Sequence, residues 1–247
     1  MASLRRQLVT GNRIFAQHQV LDAYGHFSVR DPERPEEFIM GRARAPELMT
    51  EADLMSFNLA GEPLRGDARA PYSERFIHAA AYEARPEVQA VCHSHTPSII
   101  PFGVTDVPLR PIQHLGSVIG ETVPVWDIAA EFGDTNMLVV NLAQGRSLAK
   151  TLGGGTLALM RGHGCVFVGR SIPEVTRTGI YMDINARNQT TALLLSGGKV
   201  RYLSEGEMRL RRSQPGGPPA QEPPQAAGGG GREWEAWCAQ VGMLEEA

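Results

Sequence analysis

Lysine is nearly absent from this 247-residue chain: Lys150 and Lys199 are the only two, and arginine supplies the rest of the 24 basic residues. These are interspersed with 27 acidic residues for a net charge of -3, which leaves no basic stripe of the kind a nucleic-acid binder needs. Cysteine is scarce too. Cys92, Cys165 and Cys238 are odd in number and far apart, which excludes a disulfide framework and suits a reducing compartment. Cys92 and Cys165 sit in apolar runs beside histidines, where small buried side chains rather than nucleophiles are expected. No run approaches the roughly 20 apolar residues of a membrane span. The opening MASLRRQLVTGNRIF lacks the apolar region of a secretion signal. The expectation is a cytoplasmic protein with no nucleic-acid and no membrane partner.

With 42% hydrophobic residues, the chain can bury one sizeable core. Leu4, Leu8, Phe15 and Leu21 follow a loose helical spacing up to Gly25, after which HFSVR alternates like a strand. Thr50 with Glu51, Ala52 and Asp53 reads as a capping box for a short helix, and MSFNL as a strand before a GEPL turn. Ser73 is placed to cap a helix through Tyr82 that Pro86 ends, and VQAVCHSH then reads as a buried strand. A second apolar strand, MLVVN, precedes a helix near Arg146 to Leu152. TLALMRGHGCVFVG reads as two strands hinged at the glycines, and Pro173 opens a long helix to about Leu195.

Alternating helices and strands indicate an α/β or α+β layered fold. Residues 1–212 are expected to form the main domain, and 213–231 a Pro/Gly-rich linker too poor in apolar side chains to fold. Residues 232–247 form an amphipathic helical tail in which Trp234, Trp237, Val241 and Leu244 share a face. That face is expected to dock on the main domain or a neighbouring subunit, a lid over the functional site being the sharper alternative.

The histidines carry the chemistry. His93 and His95 stand two apart at the end of an apolar strand, so both imidazoles project on one face and can chelate one ion. Alone, such a pair serves packing or hydrogen bonding more often than metal binding. His163 adds a third imidazole within Arg161-Gly162-His163-Gly164, where the flanking glycines allow a sharp turn and a close approach. Three histidines with an open position suit zinc, and an added carboxylate suits manganese, iron or cobalt nearly as well. Glu74, near a predicted helix N-terminus, is the available carboxylate, although standing alone it would be an ordinary capping acid.

Three motifs occur in order: Pro71-Tyr72-Ser73-Glu74 with His78, then Val91-Cys92-His93-Ser94-His95-Thr96-Pro97, then Arg161-Gly162-His163-Gly164. In them, and across roughly residues 5 to 205, the sequence resembles the class II aldolase/adducin family. The resemblance implies a three-layer α/β/α fold with a central, mainly antiparallel sheet, in a homotetramer with active sites at subunit interfaces. It implies one divalent metal ion per subunit (Mn2+, Zn2+, Co2+ or Fe2+) held by His93, His95 and His163, with Glu74 as fourth ligand or catalytic acid/base. The family's sugar-phosphate aldolases have a glycine-asparagine turn where this chain has Gly25-His26-Phe27-Ser28. Their second phosphate loop is replaced by Gly41-Arg42-Ala43-Arg44-Ala45-Pro46. With Pro111-Ile112-Gln113-His114, these departures resemble the family's decarboxylase branch, which acts on hydroxylated aromatic or pyridine carboxylates.

The implied activity is a divalent-metal-dependent decarboxylase of a small hydroxy-carboxylate; the alternative is an aldolase cleaving a hydroxy-aldehyde or hydroxy-ketone. Both reactions leave electrons that need a sink, and a Lewis-acidic ion beside an oxyanion provides one. Glu74 is expected to deliver or remove the proton, with His114 or His26 assisting. Arg44 and Arg42 either grip a second carboxylate through the guanidinium fork or lie free on the surface. Ser73 is a third candidate for substrate contact, and His78 either orients Glu74 or lines its helix face. A non-catalytic scaffold of the adducin kind is the competing reading, against which stands the retention of all four metal-binding residues.

Overall fold

The computed structural model describes residues 2–213 and 231–244. Its strands are β1 (His26–Arg30), β2 (Glu37–Gly41), β3 (Leu54–Asn58), β4 (Ala90–Ser94), β5 (Val125–Trp126), β6 (Leu157–Met160) and β7 (Gly164–Gly169). They form one sheet in the order β3-β2-β1-β4-β7-β6-β5, antiparallel throughout except for the parallel pair β5 and β6. The helices are α1 (Ala2–Gln17), α2 (Arg75–Ala84), α3 (Ile100–Gly103), α4 (Ile128–Phe132), α5 (Leu142–Leu152), α6 (Ile172–Ser196), α7 (Glu205–Ser213) and α8 (Gly231–Gln240). Among the described residues no helix is long and apolar enough to cross a membrane.

The two-residue period of the strands divides the core into two slabs. Phe27, Val29, Ala90, Cys92, Cys165 and Phe167 pack with Leu8 and Phe15 of α1, Val175 and Ile180 of α6, and Trp234 and Trp237 of α8. Phe38, Met40, Val91, Val166 and Val168 point the other way, onto Ile77 and Tyr82 of α2 and Leu148 and Leu152 of α5. Helices therefore cover both faces, and the three-layer α/β/α fold with a mainly antiparallel sheet is the one the motifs implied. The alternation also places His26 and Ser28 on the α2 side of β1, with His26 directly opposite His93 in the β1–β4 register. On α2, His78 and Tyr82 lie one helical turn apart and so share a face.

Several elements differ from the sequence reading. β2 escaped it because Phe38, Ile39 and Met40 are buried on both faces, so no polar alternation marks the strand. β5 is only two residues long. The expected strand MLVVN is instead a loop without a ladder partner among the described residues, because side chains take the backbone groups a ladder would use. Val139 N donates to Glu74 Oε1 at 2.9 Å, Val140 N donates to Gln144 Oε1 at 2.8 Å, and Met137 O accepts from His163. α5 starts at Leu142 rather than near Arg146, since the Asn141 side chain caps it by accepting from Gln144 N. Ser73 is not a cap: α2 starts at Arg75, with Glu74 in the cap position and no side-chain capping bond.

In the tail, α8 lies against α1 and α6. Glu233 pairs with Arg177 Nε at 3.1 Å, and His18 Nε2 donates to Gln240 Oε1 at 3.1 Å. The expected linker, 213–231, falls outside the described residues except at its two ends.

Candidate metal centre and active site

β4 ends at Ser94 beside β7, so the His93 imidazole is fully buried while His95, just past the strand, is partly exposed. The tight β6–β7 turn brings His163 to the same place. Gly162 adopts a left-handed φ of 64°, and a Cβ on Gly164 would collide with the Ser94 carbonyl, so both glycines of the turn are required. Glu74 reaches the histidines from the start of α2.

Every Nδ1 of the three histidines has an acceptor. His93 Nδ1 donates to Cys165 O at 3.0 Å and His163 Nδ1 to Met137 O at 3.1 Å. His95 Nδ1 donates to the Asp22 carboxylate at 3.1 and 3.2 Å. These partners assign the tautomers and leave three unprotonated Nε2 atoms pointing at one another, with His95 Nε2 3.0 Å from that of His93 and 3.2 Å from that of His163. Three lone pairs so placed repel unless a cation lies between them. Their spacing is what ligand atoms about 2.1 Å from a common centre, roughly at right angles, would show. Glu74 Oε2 completes the group at 3.5 Å from His93 Nε2 and 3.6 Å from His163 Nε2, and all four ligand atoms lie within 4.8 Å of one another. The donor set fits one divalent ion.

Electrostatics agree with that geometry. Burial alone would raise the Glu74 pKa, but His93, His163 and the Val139 N–H hold it down at about 2, so the group is a carboxylate at neutral pH. Burial lowers His163 to about 4, and His95 is lowered as well, chiefly by burial and by His93. The His163 nitrogen thus stays free to bind metal well below the ordinary histidine range.

Asp22 escaped the sequence reading. Its Oδ1 accepts from Tyr24 N at 2.9 Å and Gly25 N at 2.8 Å, holding the carboxylate against His95. The Asp22-Ala23-Tyr24-Gly25 run is an Asx-turn signature that could have flagged it. Outer partners of this kind orient metal-binding imidazoles, so Asp22→Asn is expected to weaken zinc affinity by about 10- to 100-fold, measurable by competition with a chelator. Unchanged affinity would make the contact incidental.

The cluster opens into a cavity of about 430 Å³ lined by Tyr24, His26, Tyr72, Ser73, Asn136 and Leu138 together with Glu74, His95 and His163. Its neighbours test the remaining sequence candidates. His26 and Ser73 line it. His114 is exposed at the start of a 3-10 turn (His114–Ile119) and does not line it. Arg42 and Arg44 are also outside the lining: both bind Asp53 Oδ1, at 2.8 and 3.1 Å, and the Arg44 carbonyl accepts from the Tyr72 hydroxyl. His78 does not orient Glu74 but turns the other way, to Ser28 and His26. Burial lowers the pKa of His78 to about 3 and puts His26 well below its ordinary value, so both rings are neutral.

These shifts set a pH dependence for the metal-free protein. Between about pH 6.5 and 4 the unfolded chain takes up protons on His78 and His163 that the folded chain refuses, so stability falls on acidification. Glu74 acts in the same direction from about pH 4.5 down to about 2, because its folded carboxylate resists a proton the unfolded chain accepts. The urea midpoint of chelator-treated protein is expected to drop steadily from pH 6.5 to 4. A flat profile there would mean that the folded state protonates these rings.

Fold and site together define an α/β/α protein with a three-histidine, one-carboxylate centre at the floor of a cavity. The chain belongs to the class II aldolase/adducin family: residues 6–190 match the family described as Class II Aldolase and Adducin N-terminal domain. It is 38% identical over 209 residues, 79% of either chain, to "Decarboxylase tropJ" of Talaromyces stipitatus. It is 25% identical over 218 residues, 84% of this chain and 85% of the relative, to "3,4-dihydroxyphthalate decarboxylase" of Arthrobacter keyseri. Among solved structures it is similar to "L-fuculose 1-phosphate aldolase from Glaciozyma antarctica PI12", with a TM-score of 0.67 at 27% identity over 84% of this chain and 79% of that one.

Proposed function

We propose that the protein is a divalent-metal-dependent decarboxylase of a hydroxylated aromatic or heteroaromatic carboxylate. The observation that carries the metal requirement is the convergence of three unprotonated Nε2 atoms and the Glu74 carboxylate on one point. The reaction class is supported by the relatives named decarboxylases, one of them for an ortho-dihydroxylated phthalate.

A divalent ion held by His93, His95 and His163, with Glu74 beside it, would supply a Lewis acid that stabilises developing oxyanion charge on the substrate. The chain's own residues then handle position and protons. The cavity, whose lining includes Tyr72 and the Asn136–Leu138 loop, would receive a flat ring beside Glu74. Two opposed effects act on Glu74: burial favours the neutral acid, while His93, His163 and the Val139 N–H favour the carboxylate, which prevails in the free protein. A substrate oxyanion brings like charge beside it and shifts that balance toward the acid. Glu74 Oε2 can then give its proton to the ring carbon that bears the carboxylate. The resulting keto tautomer has its carboxylate β to a carbonyl; the C–C bond breaks, CO2 leaves, and the electron pair returns the ring to a phenolate. Glu74 is reprotonated from solvent.

The same reading takes the working unit to be a homotetramer with its cavities near subunit boundaries. Leu194 and Leu195, exposed at the end of α6, are apolar surface that such an assembly would cover.

The experiment offers the manganese- or zinc-loaded protein a panel of carboxyl-labelled ortho-hydroxy aromatic and pyridine acids, beginning with 3,4-dihydroxyphthalate, beside hydroxy-aldehydes and hydroxy-ketones. Labelled CO2 from the first group supports the decarboxylase. Silence there with cleavage in the second group moves the assignment to an aldolase.

A further inference from the structure

A second buried polar system lies behind the metal cluster, in the layer between β1 and α2. His26 Nδ1 is 2.7 Å from His78 Nε2, His78 Nδ1 is 2.6 Å from Ser28 Oγ, and Ser28 Oγ is 2.8 Å from the Tyr82 hydroxyl. All four side chains are essentially inaccessible to solvent. One atom of the system has no partner among the described residues: His26 Nε2, buried, on the one member that lines the cavity. His26 also lies against His93 and Tyr72, with ring centroids 5.0 and 4.8 Å apart.

The protons in this chain can be placed by accounting. The Tyr82 hydroxyl has Ser28 Oγ as its hydrogen-bond partner, so its proton must go there, or a buried donor is left unmet. Ser28 must then give its own proton elsewhere. The choices are His78 Nδ1 at 2.6 Å and the Val91 carbonyl at 3.5 Å, and the second is beyond the normal range for a hydroxyl donor. His78 Nδ1 is therefore an acceptor, and its proton sits on Nε2, which donates to His26 Nδ1. The remaining proton of His26 is on Nε2, the unpartnered nitrogen of the ring that lines the cavity.

We propose that Tyr82, Ser28 and His78 are positioning residues that fix His26 as the Nε2-protonated imidazole, a neutral N–H donor to an oxyanion of the substrate beside the metal-binding histidines. The identity of that oxyanion, carboxylate or phenolate, rests on the decarboxylase reading; the tautomer does not. The opposite tautomer would present a lone pair and repel any oxygen acceptor, so the chain acts as a selector for substrates that place an acceptor oxygen, above all an anionic one, against His26. Because the donor is neutral and already oriented inside a dry layer, it needs no reorganisation when charge develops.

The test uses the full chain, zinc-loaded and 15N-labelled at histidine. Correlation spectra are expected to show the His26 proton on Nε2, assigned by its disappearance in His26→Gln. That signal should shift when 2-hydroxybenzoate or 3,4-dihydroxyphthalate is added. Ser28→Ala should turn His26 into a mixture of tautomers at unchanged zinc content, an effect that loss of packing alone would not produce. Against a substrate the wild type decarboxylates, His26→Leu should lower kcat by about 10²- to 10³-fold, with His26→Gln recovering part of it. A wild-type His26 protonated on Nδ1, or an Nε2–H that neither acid perturbs, overturns the proposal, and the spectrum of the wild type needs no variant to fold. If no acid is decarboxylated while the Nε2–H is present and responds to them, the decarboxylase reading has failed and the selector stands.

Discussion

His95→Ala is expected to leave a folded protein that neither holds its ion nor turns over. His95 is the ligand least engaged in the core, being partly exposed beyond the end of β4, so its truncation removes little buried apolar contact. It does remove the nitrogen that lies 3.0 and 3.2 Å from the other two. Loss of a direct ligand should exceed the 10- to 100-fold cost typical of an outer partner such as Asp22. Without the ion the reaction forfeits several kcal/mol of oxyanion stabilisation, or roughly 10³-fold or more in rate. Metal analysis after dialysis, with circular dichroism to confirm the fold, reads both. A folded variant that keeps one ion and full activity would break the ligand set.

Glu74→Gln separates ligation from proton transfer. Glutamine keeps the shape, and its oxygen can still accept from Val139 N, so the 137–141 loop should stay in place. The charge that faces His93 and His163 is lost, and metal affinity should fall. With metal then supplied to saturation, kcat is expected to remain about 10²- to 10⁴-fold below wild type, the usual scale for removing a general acid or base. Recovery of wild-type kcat at saturating metal would confine Glu74 to holding the ion and send the search for a proton donor elsewhere in the cavity.

Both predictions concern residues that are legible in the sequence itself, and the reason is local chemistry. His93 and His95 announce themselves by strand periodicity, and His163 by glycines that the β6–β7 turn requires. Glu74 emerged only through its order relative to them, since an acid near a helix start has a simpler use. The parts that were not legible depend on contacts distant in sequence. Asp22 meets His95 across 73 residues. Arg42 and Arg44 are committed to Asp53, an acid whose role as a capping-box residue was visible but whose second partners were not. Helical spacing sets His78 beside Glu74 or on its helix face, whereas its partners come from β1, 50 and 52 residues away. MLVVN has the composition of a strand. Its backbone is occupied by Glu74, Gln144 and His163, and tertiary demand of this kind leaves no mark on a single segment.

The most direct test of the account is a metal titration of the chelator-stripped protein with manganese, following CO2 release from an acid that the loaded protein decarboxylates. The account predicts no release without metal and a linear rise that breaks at one ion per chain, with His95→Ala silent throughout. Undiminished release from the stripped protein would contradict it.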